Sequence, residues 1–282
     1  MHSLRRDKRA FSPAVSSIIM IAAVMVMILV AMSYASTVLD SRLAENEFSA
    51  NKQFILATGL QIDDVAWTVG RTQTISYSSR FGHVKYQTLA LNYSVDLLID
   101  SNWVTVFSNV TTGMIMYNMP INKYNLGNNY FERLSPIRNS SFLQEGSTAP
   151  VNHAFIVEQL PMTDGNYIRV AAVPSIRVLN SSIIGPSQST STVYYKFFLP
   201  TLEASSVNPA LSQSVTMVGS DVTKLIRRDV DRVNITVSFP NSGIGFNSDF
   251  FKFEGNSTST VLPTGSVVEF YLGKVVVSVG RV

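Results

Sequence analysis

The chain has 282 residues, 46% of them hydrophobic and 15% charged, a composition that excludes disorder throughout and is enough for one large or two ordinary domains. Its net charge of +3 sits in the first nine residues, where Arg5, Arg6, Lys8 and Arg9 face only Asp7; the remainder is balanced and lacks the basic face of a nucleic-acid binder. There is no cysteine and there are three histidines, His2, His83 and His153, which excludes disulfide scaffolds and thiol nucleophiles and argues against an enzyme, a metal site or a cofactor.

No charge occurs between Arg9 and Asp40, and Ala14 to Ala35 forms an apolar core of 22 residues within that stretch. As a helix this run covers roughly 33 Å, against a hydrocarbon thickness of about 30 Å. The basic cluster immediately before it places the N-terminus in the cytoplasm and everything after residue 40 outside. Three readings fit the segment: an uncut signal anchor, a secretory signal cut near the small-x-small pair Ser33 and Ala35, or a leader cut on the other side of the apolar run.

The third rests on Lys8-Arg9-Ala10-Phe11-Ser12-Pro13, where a basic pair and a small residue precede the hydrophobic stretch. This arrangement, over about residues 5–36, resembles the class III leader of archaeal type IV pilins and archaellins. The resemblance implies that a prepilin-type leader peptidase recognises Lys8 and Arg9 and cuts between Ala10 and Phe11, leaving the apolar helix on the mature protein. Bacterial relatives carry Glu at the fifth mature position, which here is Val15, so the chain follows the archaeal pattern. Ser12 and Pro13 by themselves also fit an ordinary helix start.

Past Ala35 a helical period continues through Leu39, Leu43, Glu47, Ala50, Phe54, Ala57, Gln61 and Val65, six of them apolar. This predicts a stalk continuous from Phe11 to about Ala66, with a bend or break near Gly59, where glycine costs about 1 kcal/mol relative to alanine. After Gly70 the period becomes two. Leu89, Leu91, Tyr93, Val95 and Leu97 alternate with polar or small residues, as do Val233, Ile235, Val237 and Phe239. Further strands are expected at Trp103 to Phe107, Met114 to Tyr117, Phe155 to Gln159, Tyr167 to Val173, Val193 to Leu199 and Val267 to Val279. Asp164-Gly165 signals a hairpin. A short helix capped by Ser220 or Asp221 is expected over Asp221 to Val230, and 122–150 and 185–192 read as polar loops.

Signatures of chemistry fail on inspection. Gly243-Ile244-Gly245 lacks the third glycine of a dinucleotide fingerprint and reads as a turn. Asp63 and Asp64 are adjacent on a helix and diverge by about 100°. His153 and Glu158 fall on opposite faces of one strand. The aromatic runs Tyr194 to Phe198 and Phe250 to Phe253 suit core positions better than an exposed patch. Six Asn-x-Ser/Thr sequons, at Asn92, Asn109, Asn139, Asn180, Asn234 and Asn256, are candidate N-glycosylation sites. Their number barely exceeds chance, but Asn92 and Asn234 fall on the polar faces of their strands.

The expected fold class is α+β: a leader over 1–10, a membrane and stalk helix over 11–68, and a mostly antiparallel, sandwich-like β head over 69–282. The expected function is that of a structural, pilin-like filament subunit or adhesion protein. Its partners would be the membrane, like subunits, the leader peptidase and a surface layer. The alternative is a non-polymerising anchored binding module contacting the surface layer or a filament base.

Overall fold

A computed structural model describes residues 11–184, 191–206 and 212–280. Its first element is one α-helix, α1 (Phe11–Ala66), 56 residues long. Pro13 lies in the first turn, where its missing N–H is harmless, and no further proline occurs within the helix. The packing boundary falls inside α1: residues up to Asn46 form one unit and Glu47–Val282 the other. The last twenty helical residues therefore belong with the head.

The head is mostly β. Its strands are β1 (Thr72–Ser76), β2 (His83–Ile99), β3 (Asn102–Pro120), β4 (Tyr130–Ser135), β5 (Leu143–Glu145), β6 (Asn152–Glu158) and β7 (Tyr167–Pro174). After these come β8 (Ile176–Ile184), β9 (Ser191–Ala204), β10 (Ser214–Arg227), β11 (Val230–Ser238), β12 (Ser257–Val261) and β13 (Val267–Val279). A six-stranded sheet runs β1-β10-β13-β9-β8-β5 and a seven-stranded one β12-β11-β2-β3-β7-β6-β4. Pairing is antiparallel except for β9 with β13 and β5 with β8.

Both sheets contribute to one apolar core. Leu91, Tyr93, Val95 and Leu97 of β2 and Val233, Ile235 and Val237 of β11 meet Phe197 and Leu199 of β9 and Phe270 of β13. Phe250 and Phe251 enter it from a helical turn, α2 (Ser248–Phe251), which Asn247 caps by accepting from the amides of Asp249 and Phe250. In the run Tyr194 to Phe198, Phe197 packs into this core, whereas Phe198 is half-buried on the opposite face, where it stacks on Tyr271 and meets the edge of Trp67.

Several expectations need correction. The segment Asp221 to Val230 is not helical: β10 continues to Arg227, paired with β13, and β11 opens at Val230. The helical spacing of Val222, Ile226 and Val230 is coincidental; strand pairing overrides it, and Ile226 remains 44% exposed. Asp229, at φ +56°, makes the corner between the two sheets. The stretch 122–150 is not all loop, because it supplies β4, paired with β6, and β5, paired with β8. Residues 185–190 of the other expected loop lie outside the described residues, and Ser191 and Thr192 belong to β9. Leu89, at φ +53° beside a register shift, points out of the core pattern that starts at Ala90.

The neighbouring β3, β7 and β6 segments of the seven-stranded sheet are buried on both faces. Met114 and Met116 face the shared core, whereas Ile115, Tyr117 and Met119 face the other way. Phe48 of α1 meets the Tyr117 ring, and Asn152 of β6 donates to the Gly59 carbonyl at 2.8 Å. The helix from Glu47 onward thus covers these strands, and strands covered on both faces read as unbroken apolar runs.

The C-terminal end of the helix seats on two glycines of the six-stranded sheet. A Cβ at Gly273 of β13 would stand 2.5 Å from the Ala66 carbonyl oxygen and 2.8 Å from the Trp67 ring, and one at Gly219 of β10 would stand 2.5 Å from the Val65 carbonyl oxygen. Gly273→Ala is expected to destabilise the head by about 1–3 kcal/mol through overpacking. Gly243→Ala, at a position with nothing within 4 Å, serves as the control. Equal urea midpoints for the two variants would show that the helix end does not depend on that notch.

Candidate functional site

The feature the sequence points to first is the apolar part of α1. From Ile18 to Tyr34 its large side chains are exposed around the whole circumference, Met27 by 62% and Tyr34 by 72%. Its most apolar window has a mean hydropathy of 2.8 and no buried residue. By length and composition this helix is a candidate membrane span. Phe11 begins it, while Lys8, Arg9 and Ala10 lie outside the described residues.

The other half of α1 is held by a clasp that starts at Glu47. Its carboxylate accepts from the backbone amides of Arg80 at 2.9 Å, Phe81 at 3.0 Å and Gly82 at 3.0 Å, and from the hydroxyls of Tyr117 at 2.7 Å and Ser79 at 3.1 Å. Burial alone would raise the Glu47 pKa, but the Gly82 amide, the Tyr117 hydroxyl and the amides of Arg80 and Phe81 together hold it below the ordinary carboxylate value. Burial, and then the Glu47 carboxylate, push the Tyr117 hydroxyl up, so it stays protonated as a donor. One turn on, Asn51 donates to the Ser78 carbonyl at 3.0 Å, and Lys52 pairs with Glu132 of β4. Glu47 was legible only as the acidic exception in an apolar stripe.

The stripe itself is rotated from its expected position. The residues facing the head are Phe48, Asn51, Ile55, Thr58, Ile62 and Val65, with Phe54 beside them, whereas Ala50 and Ala57 are exposed and Leu60 is 61% exposed. Two buried polar residues, Asn51 and Thr58, hide the true heptad spacing; both are satisfied, Thr58 by the Phe54 carbonyl at 2.8 Å. Nor does Gly59 break the helix. It lets Asn152 approach, since a Cβ there would lie 2.7 Å from the Asn152 side-chain oxygen.

Three sequons from distant parts of the chain, Asn92, Asn109 and Asn234, lie on the outer face of the seven-stranded sheet, and Asn256 stands just before its edge strand β12. Asn92 of β2 and Asn234 of β11 sit opposite the core positions of their strands and are half-buried; Asn109 and Asn256 are exposed. Asn92 donates to the Asn109 side chain at 3.0 Å, and Asn234 accepts from the Ser257 hydroxyl at 3.1 Å. Asn180 is exposed on β8, and Asn139 is half-buried and accepts from the Ser141 amide at 2.9 Å.

Compared with models of protein families, with characterised proteins and with solved structures, the chain finds no match in any of the three.

The remaining candidate residues do not converge. Asp63 binds Trp67 Nε1 at 2.7 Å and Arg177 at 2.8 Å, while Asp64 binds Arg71 and Gln73. His153 is fully buried between Arg133, Gln144 and the Ser141 carbonyl; burial, assisted by Arg133, pushes its pKa down to about 3. Glu158 faces elsewhere and holds the amides of Leu126 and Gly127. Asp164 and Gly165 lie in the eight-residue link between β6 and β7, where Asp164 binds buried Arg169 at 2.6 Å. Gly243-Ile244-Gly245 forms a 3₁₀ turn with Gly245 at φ +109°. Among the described residues no three metal-ligating carboxylates or histidines come together.

Proposed function

We propose that this chain is a structural subunit of a type IV pilin-like cell-surface filament, made as a precursor whose leader, residues 1–10, is removed between Ala10 and Phe11. The observation that carries the reading is the division of labour along α1. Its first part presents an apolar surface with no covering side chain, and its last part is locked into a β head. As a monomer such a helix resides in lipid; in a filament the same surface packs against like helices. On the part of α1 that lies with the head, Ala50, Ala57 and Leu60 are exposed, and the two alanines would let a neighbouring helix approach. The head, read as a two-sheet sandwich, stands outside the cell and carries glycans on its sequon face.

One set of measurements tests the whole reading. Mass spectrometry of the mature protein is expected to find Phe11 at its N-terminus and added mass at one or more sequons. Leu60→Glu, at an exposed position, is expected to abolish filaments while leaving the head folded and the protein in the membrane. Normal filaments in that variant, or a mature N-terminus at Ser36, would sink the proposal. Protein found only in membranes and never in sheared filaments would favour an anchored binding module.

A further inference from the structure

Among the described residues the two sheets present four edge strands, β12 and β4 on the seven-stranded sheet, β1 and β5 on the six-stranded one. An edge strand offers unpaired N–H and C=O groups to any other chain, and folded proteins blunt it with charge, proline, a bulge, shortness or cover. At three of these edges the chain supplies such a device. β4 carries Glu132 and Arg133, pairs Glu132 with Lys52 of α1 and shifts register between Arg133 and Ser135. β5 has three residues, and β1 is tied to α1 through Asp64, which binds Arg71 just before the strand and Gln73 within it.

The fourth edge, β12, has none of these. Its five residues, Ser-Thr-Ser-Thr-Val, include no charge and no proline, and they pair with β11 without a register shift. Both ends are pinned: the Asn256 carbonyl accepts from the Val237 amide at 2.8 Å, and the Leu262 amide donates to the Asp231 carbonyl at 2.8 Å. Ser257, Ser259 and Val261 are exposed, Val261 by 67%. A regular, uncharged edge rich in β-branched residues is the kind that pairs with its own copy.

What stands at this edge instead is a sequon, Asn256-Ser257-Thr258, which begins one residue before the strand. Asn256 is exposed, and its bond to Val237 uses the carbonyl, leaving the side-chain amide open to solvent. By contrast, Asn92 and Asn234 lie in strands paired on both sides, and the Asn92 amide already donates to Asn109.

We propose that Asn256 carries an N-linked oligosaccharide and that this glycan guards the β12 edge against pairing with a second copy of the chain. In the transfer, Asn256 Nδ2 forms a bond to the anomeric carbon of a lipid-phosphate-linked oligosaccharide. The bond from that carbon to the phosphate breaks, the lipid phosphate leaves with the electron pair, and the amide gives up one proton to solvent. The edge spans roughly 17 Å at about 3.4 Å per residue, so a strand pairing along its length runs past Asn256, where a bulky, hydrated chain excludes it. The inference rests on the reading of an external, glycosylated head and is independent of filament assembly.

Glycopeptide mass spectrometry of the native protein and sedimentation velocity of the purified full chain in detergent test it. Sugar is expected on Asn256. Asn256→Gln and Thr258→Ala, which remove the sequon in two ways, should each lower the concentration of half-association about tenfold or more, and Ser259→Lys added to Asn256→Gln should reverse that shift, because lysine blunts an edge. Asn109→Gln, at an exposed sequon in another strand, should leave association unchanged. Sugar on other sequons with Asn256 bare would overturn this inference alone, whereas sugar on none would overturn the glycosylated head with it. Association unchanged in both sequon variants, equally strengthened in Asn109→Gln, or not reversed by Ser259→Lys would show that the glycan does not guard β12.

Discussion

Glu47→Gln is expected to lower the stability of the head by about 2–4 kcal/mol at neutral pH, because a carboxamide cannot accept from three backbone amides and two hydroxyls without turning its own N–H groups toward donors. The pH dependence gives the sharper reading. The folded pKa of Glu47 is depressed, so its contribution is fully present above the unfolded value, ~4.3, and is lost as pH falls through the lower folded value. Urea unfolding of both proteins across that range should therefore show a gap at pH 7 that closes in acid. His153 adds a separate loss common to both proteins. Its folded pKa of about 3 lies below the ordinary value of ~6.5, so stability falls as pH drops below ~6.5 toward the folded value, because the unfolded imidazole takes up a proton first. A gap that stays constant with pH would show that the Glu47 charge does not hold the clasp.

Met27→Lys should have the largest effect on membrane residence. The position is 62% exposed near the centre of the apolar run, where a lysine costs about 2.5–3.5 kcal/mol on insertion scales, equivalent to a shift of roughly 70- to 400-fold in the partition. Leu60→Lys, on the part of α1 that lies with the head, is the matched control. Carbonate extraction should leave the control in the membrane pellet and release or aggregate most of the Met27 variant. Equal retention of the two would mean that residues 15–39 do not reside in hydrocarbon.

Much of the architecture was legible along the chain because it rests on local pattern. Thirty uncharged residues predict an apolar helix, whatever surrounds them. The alternation at Leu91 to Leu97 and Val233 to Val237 predicts half-buried strands because one face meets the core and the other water, and those side chains are buried as that pattern requires. The β13 bounds were equally readable, since Val267 to Val279 is bounded by turn residues and rich in β-branched ones.

Tertiary structure decided what pattern could not express. Asp221 to Arg227 became strand because β13 offers a pairing partner, a non-local energy absent from any local period. The buried face of α1 lies one position away from the expected stripe, because Asn51 and Thr58 find carbonyl partners that offset the cost of burying them. Gly59 read as a bend or break, whereas it serves, like Gly219 and Gly273, as clearance for close approach. Glu47 meets residues 79–82 and Tyr117, and Asn92, Asn109 and Asn234 share one sheet face, through strand order and register. Those are properties of chain topology: residues distant in sequence become neighbours when long-range pairing and core burial outweigh the entropy of closing the loops between them.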